Sequence, residues 1–255
     1  MRAIAHRGCL TQYPENTLHA FRHAGATVDM IELDVRRCGT GELVTFHDET
    51  LDRVTDATGE VTEAAYDVLG AVSVLGSGES VPRLTDVFEA VPADVGLNLE
   101  LKGRDVAADA VAIATGYDHE VIVSSFFPGD VAAARDAGAS TTAFLFDGGS
   151  SDDSDDAPDD EGVDSEGNTI TDEERGNDFD VAAALDIAAD LGCEYIHPSV
   201  DLCLGTDVVT HAHDRGFEVN AWTAADMDTV RELNARGVDG VVIDDCELAT
   251  VCRDE

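Results

Sequence analysis

Positive charge is what this chain has least of. Against 54 aspartates and glutamates stand 15 arginines and lysines, so the formal charge is −39 with histidines neutral. A protein that binds nucleic acid by neutralising phosphates needs clustered cations, and that class is excluded. Anionic lipid headgroups would repel the same surface. The six cysteines (Cys9, Cys38, Cys193, Cys203, Cys246, Cys252) include no C-x-x-C pair. They are too sparse to build a disulfide framework and are expected mostly as buried thiols. No run of eighteen apolar residues occurs, and only Ala3, Ile4 and Ala5 precede His6 and Arg7. Neither a spanning helix nor a signal-peptide core is present, and a soluble cytoplasmic protein is the expectation.

With 44% hydrophobic residues in 255, the chain has enough apolar surface for a sizeable core, read here as a single domain over residues 1–255. One lysine, Lys102, stands among fourteen arginines, and aspartate outnumbers glutamate 35 to 19. This composition is similar to that of proteins from salt-loving archaea. In molar salt the Debye length is about 3 Å, so dense carboxylates repel weakly while keeping the surface hydrated. At low salt the same repulsion should loosen the fold.

Short β-branched runs alternate with Ala-rich helical stretches such as Val106–Thr115 and Val131–Ala137, the pattern of a parallel sheet with crossover helices. Eight such runs begin near Ala3, Met30, Gly96, Val121, Thr142, Glu194, Glu218 and Asp239. Eight units in about 250 residues match a (β/α)8 TIM barrel. The rival, a doubly wound open sheet, uses fewer strands, and no Gly-x-Gly-x-x-Gly turn follows the first run.

Two stretches break the rhythm. Leu43–Asp48 reads as an extra short strand, and residues 49–81 then run without a clear period, as an excursion inserted after the second strand over one barrel end. Residues 148–178 contain Ser150-Ser151-Asp152-Asp153-Ser154-Asp155-Asp156 and more acid and glycine, too polar to bury, and read as a solvated, poorly ordered loop after the fifth strand. The spacing fails the EF-hand pattern, so a calcium loop is disfavoured.

Alternate residues of a strand share a face, which puts Glu32 with Asp34 and Glu100 with Lys102. Barrel strands are buried on both faces and ought to be nearly continuous apolar runs. Charges inside Ile31-Glu32-Leu33-Asp34-Val35 and Leu97-Asn98-Leu99-Glu100-Leu101-Lys102 therefore need partners or a function. If they converge at the C-terminal mouth, three carboxylates would repel unless a hard divalent ion such as Mg or Ca sat among them. His6-Arg7-Gly8 ends the first strand with an imidazole, a fixed cation and a glycine that could let backbone approach a ligand. His47-Asp48 ends the short extra strand. Two histidines, a metal and the cations Arg7 and Lys102 suit hydrolysis of a phosphodiester.

The ordered set His6-Arg7-Gly8, Pro14-Glu15-Asn16-Thr17, Glu32-Leu33-Asp34-Val35, His47-Asp48 with Leu51 and Arg53, and Glu100-Leu101-Lys102 resembles the glycerophosphodiester phosphodiesterase family. Ser124-Ser125-Phe126, Ala221-Trp222-Thr223 and Gly237-Val238-Asp239-Gly240 look like that family's later strand ends. The resemblance implies a (β/α)8 barrel hydrolysing glycerophosphodiesters to glycerol 3-phosphate and an alcohol. It implies His6 and His47 as acid and base, Glu32, Asp34 and Glu100 as metal ligands, and Arg7 and Lys102 as phosphate-contacting cations. Glu15 matches the acidic residue of the turn near the site. The attack could come from the substrate's own glycerol hydroxyl, through a cyclic phosphate. The chain departs from the family at Ile243-Asp244-Asp245-Cys246, where relatives often carry Thr-Asp-x-Pro, and little sequence remains for an eighth helix.

Trp222 ends the seventh strand and suits either substrate packing or core filling. His197 reads as structural, and Phe126, Phe127 and Phe146 as candidates to line the mouth. The alternatives are a barrel phosphodiesterase acting on lysophospholipid or inositol lipid, and a non-catalytic barrel that binds phosphodiester or metal. A lipid enzyme would want an apolar or basic rim, which the sequence does not display. A small-molecule substrate is the expected partner.

Overall fold

A computed structural model describes residues 1–148 and 179–253. Its strands are β1 (Arg2–Ala5), β2 (Met30–Arg37), β3 (Leu43–Thr45), β4 (Gly96–Leu101), β5 (Val121–Ser125), β6 (Thr142–Phe146), β7 (Tyr195–Pro198), β8 (Glu218–Ala224) and β9 (Gly240–Ile243). The helices are α1 (Leu18–Ala24), α2 (Tyr66–Leu69), α3 (Leu84–Ala90), α4 (Ala107–Ala114), α5 (Pro128–Asp136), α6 (Val181–Asp190), α7 (Val200–Gly205), α8 (Val208–Asp214), α9 (Met227–Arg236) and α10 (Ala249–Arg253). Each of the eight expected staves begins within one residue of its place in the sequence pattern.

All pairings among those eight are parallel, and β1 bonds to both β2 and β9, so the sheet closes on itself as a (β/α)8 barrel. The ninth strand, β3, lies antiparallel on the end of β2. The last helix, α10, is short.

Period-two alternation decides what faces inward. On β2, Met30 packs inside the barrel with Ile4, Ile122 and Val242, while Ile31, Leu33 and Val35 belong to the apolar layer under the helices. Glu32 and Asp34 share Met30's parity and point into the barrel with it. On β4, Leu97, Leu99 and Leu101 join the outer layer, leaving Asn98 and Glu100 inside. The register sets Glu32 beside Asn98 and Asp34 beside Glu100. Gly96 is small for a reason: a Cβ there would come within 2.6 Å of the Met30 methyl.

Residues 49–81 have apolar packing of their own. Leu51, Val54, Val61, Leu69, Val72, Val74 and Val81 form an apolar cluster of their own with Val44 and Phe46. Turns and isolated antiparallel bridges, Thr50 with Glu60 and Thr55 with Val74, space these residues irregularly and leave no period to read. The expected loop at 148–178 lies, apart from Gly148, outside the described residues.

The expectation of mostly buried thiols holds for four of the six cysteines. Cys38, Cys193, Cys203 and Cys252 are buried thiols, but Cys9 and Cys246 form a disulfide across 237 residues of sequence. Linear spacing hides this pair; closure of the barrel brings the ends of its first and last staves together. Among the described residues no helix is long and apolar enough to cross a membrane.

Candidate active site

The polar side chains collect at the C-terminal ends of the staves, where barrel proteins place their sites. Glu32, Asp34 and Glu100 are each at most 7% exposed, and one oxygen of each lies within 4.8 Å of the others. Burial, then the charges of Asp34 and Glu100, pushes Glu32 well above the usual carboxylate range. Its Oε1 is buried and accepts no hydrogen bond from the described residues. Three close carboxylates with such an oxygen fit an all-oxygen site for a hard divalent cation.

Cations stand beside them. Lys102 Nζ lies 2.5 Å from Glu100 Oε1 and 3.5 Å from Asp34 Oδ1. Arg7 donates its backbone N–H to Glu32 Oε2 at 3.0 Å, and its guanidinium lies 3.2 Å from Asp34 Oδ2 and 3.1 Å from Glu15 Oε1. Asn16 holds Asp34 from another side, Nδ2 to Oδ2 at 2.8 Å. Burial of this much charge is tolerable because each group is matched by opposite charge or hydrogen bonds.

The turn that carries His6 and Arg7 is shaped by left-handed backbone. Arg7, Gly8 and Cys9 have φ of 49°, 85° and 67°. At Gly8 a Cβ would sit 2.7 Å from the Ala20 Cβ, so this glycine lets α1 pack against the turn. Thr17 caps α1 by accepting from Ala20 N at 3.2 Å, which explains the threonine of Pro14-Glu15-Asn16-Thr17.

Both histidines are backed by carboxylates. His6 Nδ1 is 2.6 Å from Asp244 Oδ1, and its Nε2 is 4.0 Å from Glu32 Oε2. His47 lies two residues beyond β3, and its Nδ1 is 2.7 Å from Asp48 Oδ1. Arg53 forks onto Asp48 and Glu15 together, with four hydrogen bonds of 2.6–2.9 Å. Burial opposes charge on Asp48, but the bonds from His47 and Arg53 outweigh it and hold its pKa well below the ordinary value. A continuous chain thus runs His47–Asp48–Arg53–Glu15–Arg7–Asp34. Arg36, which sequence reading passed over, donates to the main-chain oxygens of His47 at 2.6 Å and Lys102 at 3.0 Å. It pins the two turns that carry those side chains.

A small pocket, partly open to solvent, borders this group. Its polar wall includes His6, Glu32 and Glu100, and its apolar wall includes Phe126 and Trp222. Trp222 lies inside β8 rather than at its end, meets Phe126 edge-on at 5.4 Å, and donates Nε1–H to His197 O at 2.8 Å. His197 also lines the pocket; burial pushes its pKa down to about 3, so it is neutral, beside Asn220 Nδ2 at 3.0 Å. Of the three phenylalanines, Phe126 lines the pocket, while Phe146 stacks on Phe179 in the core. Asp48, Arg53 and Asn16 were visible only as members of quoted motifs. Asp244 appeared only within the strand end Ile243-Asp244-Asp245-Cys246, with nothing to link it to His6, and Arg36 carried no signal, since it donates to main-chain oxygens.

Fold and site together define a (β/α)8 barrel with a carboxylate triad, adjoining cations and two carboxylate-backed histidines at its C-terminal rim. The chain belongs to the glycerophosphoryl diester phosphodiesterase family, whose model matches residues 6–248. It is 37% identical over 140 residues to a glycerophosphodiester phosphodiesterase of Caldanaerobacter subterraneus subsp. tengcongensis, covering 48% of this chain and 57% of that protein. It is 27% identical over 262 residues to a probable glycerophosphodiester phosphodiesterase 2 of Mycobacterium tuberculosis, covering 96% and 88%. The first of these alignments, and one at 43% identity to a Bacillus subtilis protein, take in only about half of each relative's length (57% and 45%). Among solved structures, a Thermotoga maritima glycerophosphodiester phosphodiesterase superposes with TM-score 0.77 at 24% identity, covering 99% of this chain and 98% of that one. An Oleispira antarctica phosphodiesterase in complex with the product sn-glycerol-3-phosphate gives TM-score 0.77 at 22% identity, covering 100% and 97%. These last two likenesses carry the fold.

Proposed function

We propose that this protein hydrolyses glycerophosphodiesters to glycerol 3-phosphate and an alcohol, with a divalent cation, Mg or Ca, held by Glu32, Asp34 and Glu100. The observation that carries the reading is the meeting of those three buried carboxylates within 4.8 Å, with Lys102 and Arg7 on them and His6 Nε2 4.0 Å from Glu32. Family membership supports it.

When bound, the cation would withdraw charge from the phosphoryl oxygens. Arg7 and Lys102 add fixed positive charge beside them, and Glu15 holds the Arg7 guanidinium in place. His6 and His47 divide the proton transfers. One takes the proton of the attacking hydroxyl as its oxygen bonds to phosphorus; the other gives a proton to the departing alkoxide as its P–O bond breaks. With the substrate's own glycerol hydroxyl as nucleophile the first product is a cyclic phosphate, and water opens it with the two histidines in exchanged roles. Trp222 and Phe126 offer an aromatic wall to the glycerol or alcohol portion. The dense carboxylates suit work in molar salt.

The test is a panel of water-soluble glycerophosphodiesters assayed in molar potassium chloride after exhaustive chelation and again with Mg, Mn or Ca restored. Turnover only with metal is expected. Full activity without metal would refute the ion's role, and turnover of micellar lysophospholipid in preference to glycerophosphocholine would refute the substrate class.

A further inference from the structure

We infer that Asp244 is a positioning residue for His6, set in place by the seam where the last stave meets the first; the inference rests on the reading of His6 as one of the acid–base pair. The seam aligns them. In the parallel β1–β9 pairing Ala5 stands opposite Ile243, and His6 and Asp244 are the residues that directly follow the two strands. The Asp244 Oδ1 to His6 Nδ1 distance is 2.6 Å. An imidazole nitrogen facing a carboxylate this closely carries the hydrogen and donates it, which leaves Nε2 as the nitrogen directed to Glu32 and the pocket.

The main chain around Asp244 is fastened without help from its carboxylate. Thr11 donates to the Asp244 main-chain oxygen from its N at 3.2 Å and its Oγ1 at 2.8 Å. Cys246 N donates to Gln12 Oε1 at 3.2 Å, and the Cys9–Cys246 disulfide joins the same two turns. Capping of the following 3₁₀ turn falls to the neighbour, Asp245, whose side chain accepts from Glu247 N at 2.8 Å. The Asp244 carboxylate is therefore committed to the imidazole and not to the shape of the rim. His47 and Asp48 repeat the arrangement at the other histidine.

The experiment uses the full-length protein with glycerophosphocholine at saturating divalent metal, comparing D244N, D244A and D244E with H6A and the H6A/D244A double variant. D244N and D244A are expected to lose about 10² in kcat with little change in KM, the scale of a misplaced catalytic group. D244E should recover activity that D244A lacks. The double variant should be no slower than H6A alone, because the carboxylate acts through the imidazole. If H6A turns over like the wild type, the reading of His6 fails and the inference falls with it. If H6A is inactive while D244N keeps wild-type kcat, the premise stands and the positioning role is overturned. Additive losses in the double variant, or a fall in melting temperature that accounts for the lost activity, would overturn it too.

Discussion

Replacing Arg53 with methionine should uncouple His47 from the carboxylate network while leaving the barrel intact. Arg53 makes two forks, Nε and Nη2 to Asp48 at 2.6 and 2.8 Å, and Nη1 and Nη2 to Glu15 at 2.9 Å each. Charge-assisted bonds are worth about 1.5–3 kcal/mol each in favourable settings. The Arg53 side chain is 45% exposed, so solvent screening removes much of that at the Asp48 end. Glu15 is different, because its side chain is 8% exposed and, among the described residues, would keep only the Arg7 side-chain bond at 3.1 Å. A net loss of about 2–4 kcal/mol follows, most of it from the carboxylate left buried. For a chain of this size that lowers the melting temperature by about 5–15 °C. Asp48 would lose its anchor, and kcat should fall by about 10- to 100-fold as His47 loses its orientation. Lysine at this position should restore little, since an ammonium cannot fork onto two carboxylates. Thermal unfolding and steady-state kinetics on R53M read both quantities. Wild-type values of both would refute the network as a support for His47.

Asp48 gives a pH signature of known sign. Its folded-state pKa is depressed, so its stabilising effect is full above the ordinary value of about 3.9 and is lost as pH falls from there toward the lower folded value. D48N should therefore show a shallower loss of stability on acidification, measured by urea unfolding at stepped pH; parallel curves would contradict it. Reducing the Cys9–Cys246 bridge, or the C9S/C246S variant, should cost about 2–5 kcal/mol of stability, and unreduced denatured protein should titrate as four thiols. Six thiols would remove the bridge. Melting temperature should fall on dialysis from molar salt to dilute buffer, because a charge of −39 is then unscreened. An unchanged melting temperature would refute a salt-adapted surface.

The barrel was legible because parallel staves are apolar on both faces and recur at regular spacing, so Glu32, Asp34 and Glu100 stood out as charges in the wrong company. Their inward parity followed from period two alone. The packing within residues 49–81 was not legible, because a core assembled from turns, isolated bridges and the single turn of α2 shows no period. Other misses share a cause in closure. Asp244 meets His6, and Cys246 meets Cys9, only because β9 returns to β1, and nothing local in the sequence announces that meeting. Arg36 was hidden differently: its role is a pair of donations to main-chain oxygens, which leave no complementary charge to notice. The packing need at Gly8 was hidden too, because the neighbour that a Cβ would meet, Ala20 of α1, lies twelve residues on.

Calorimetric titration of Mg, Mn or Ca into chelated protein in molar potassium chloride, beside E32Q, D34N and E100Q, bears most directly on the carboxylate triad as a cation site. One ion per chain is expected for the wild type, with binding weakened or lost in each variant and turnover lost in step. Ion binding of equal affinity in all four proteins, or activity that survives in a variant unable to bind metal, would contradict it.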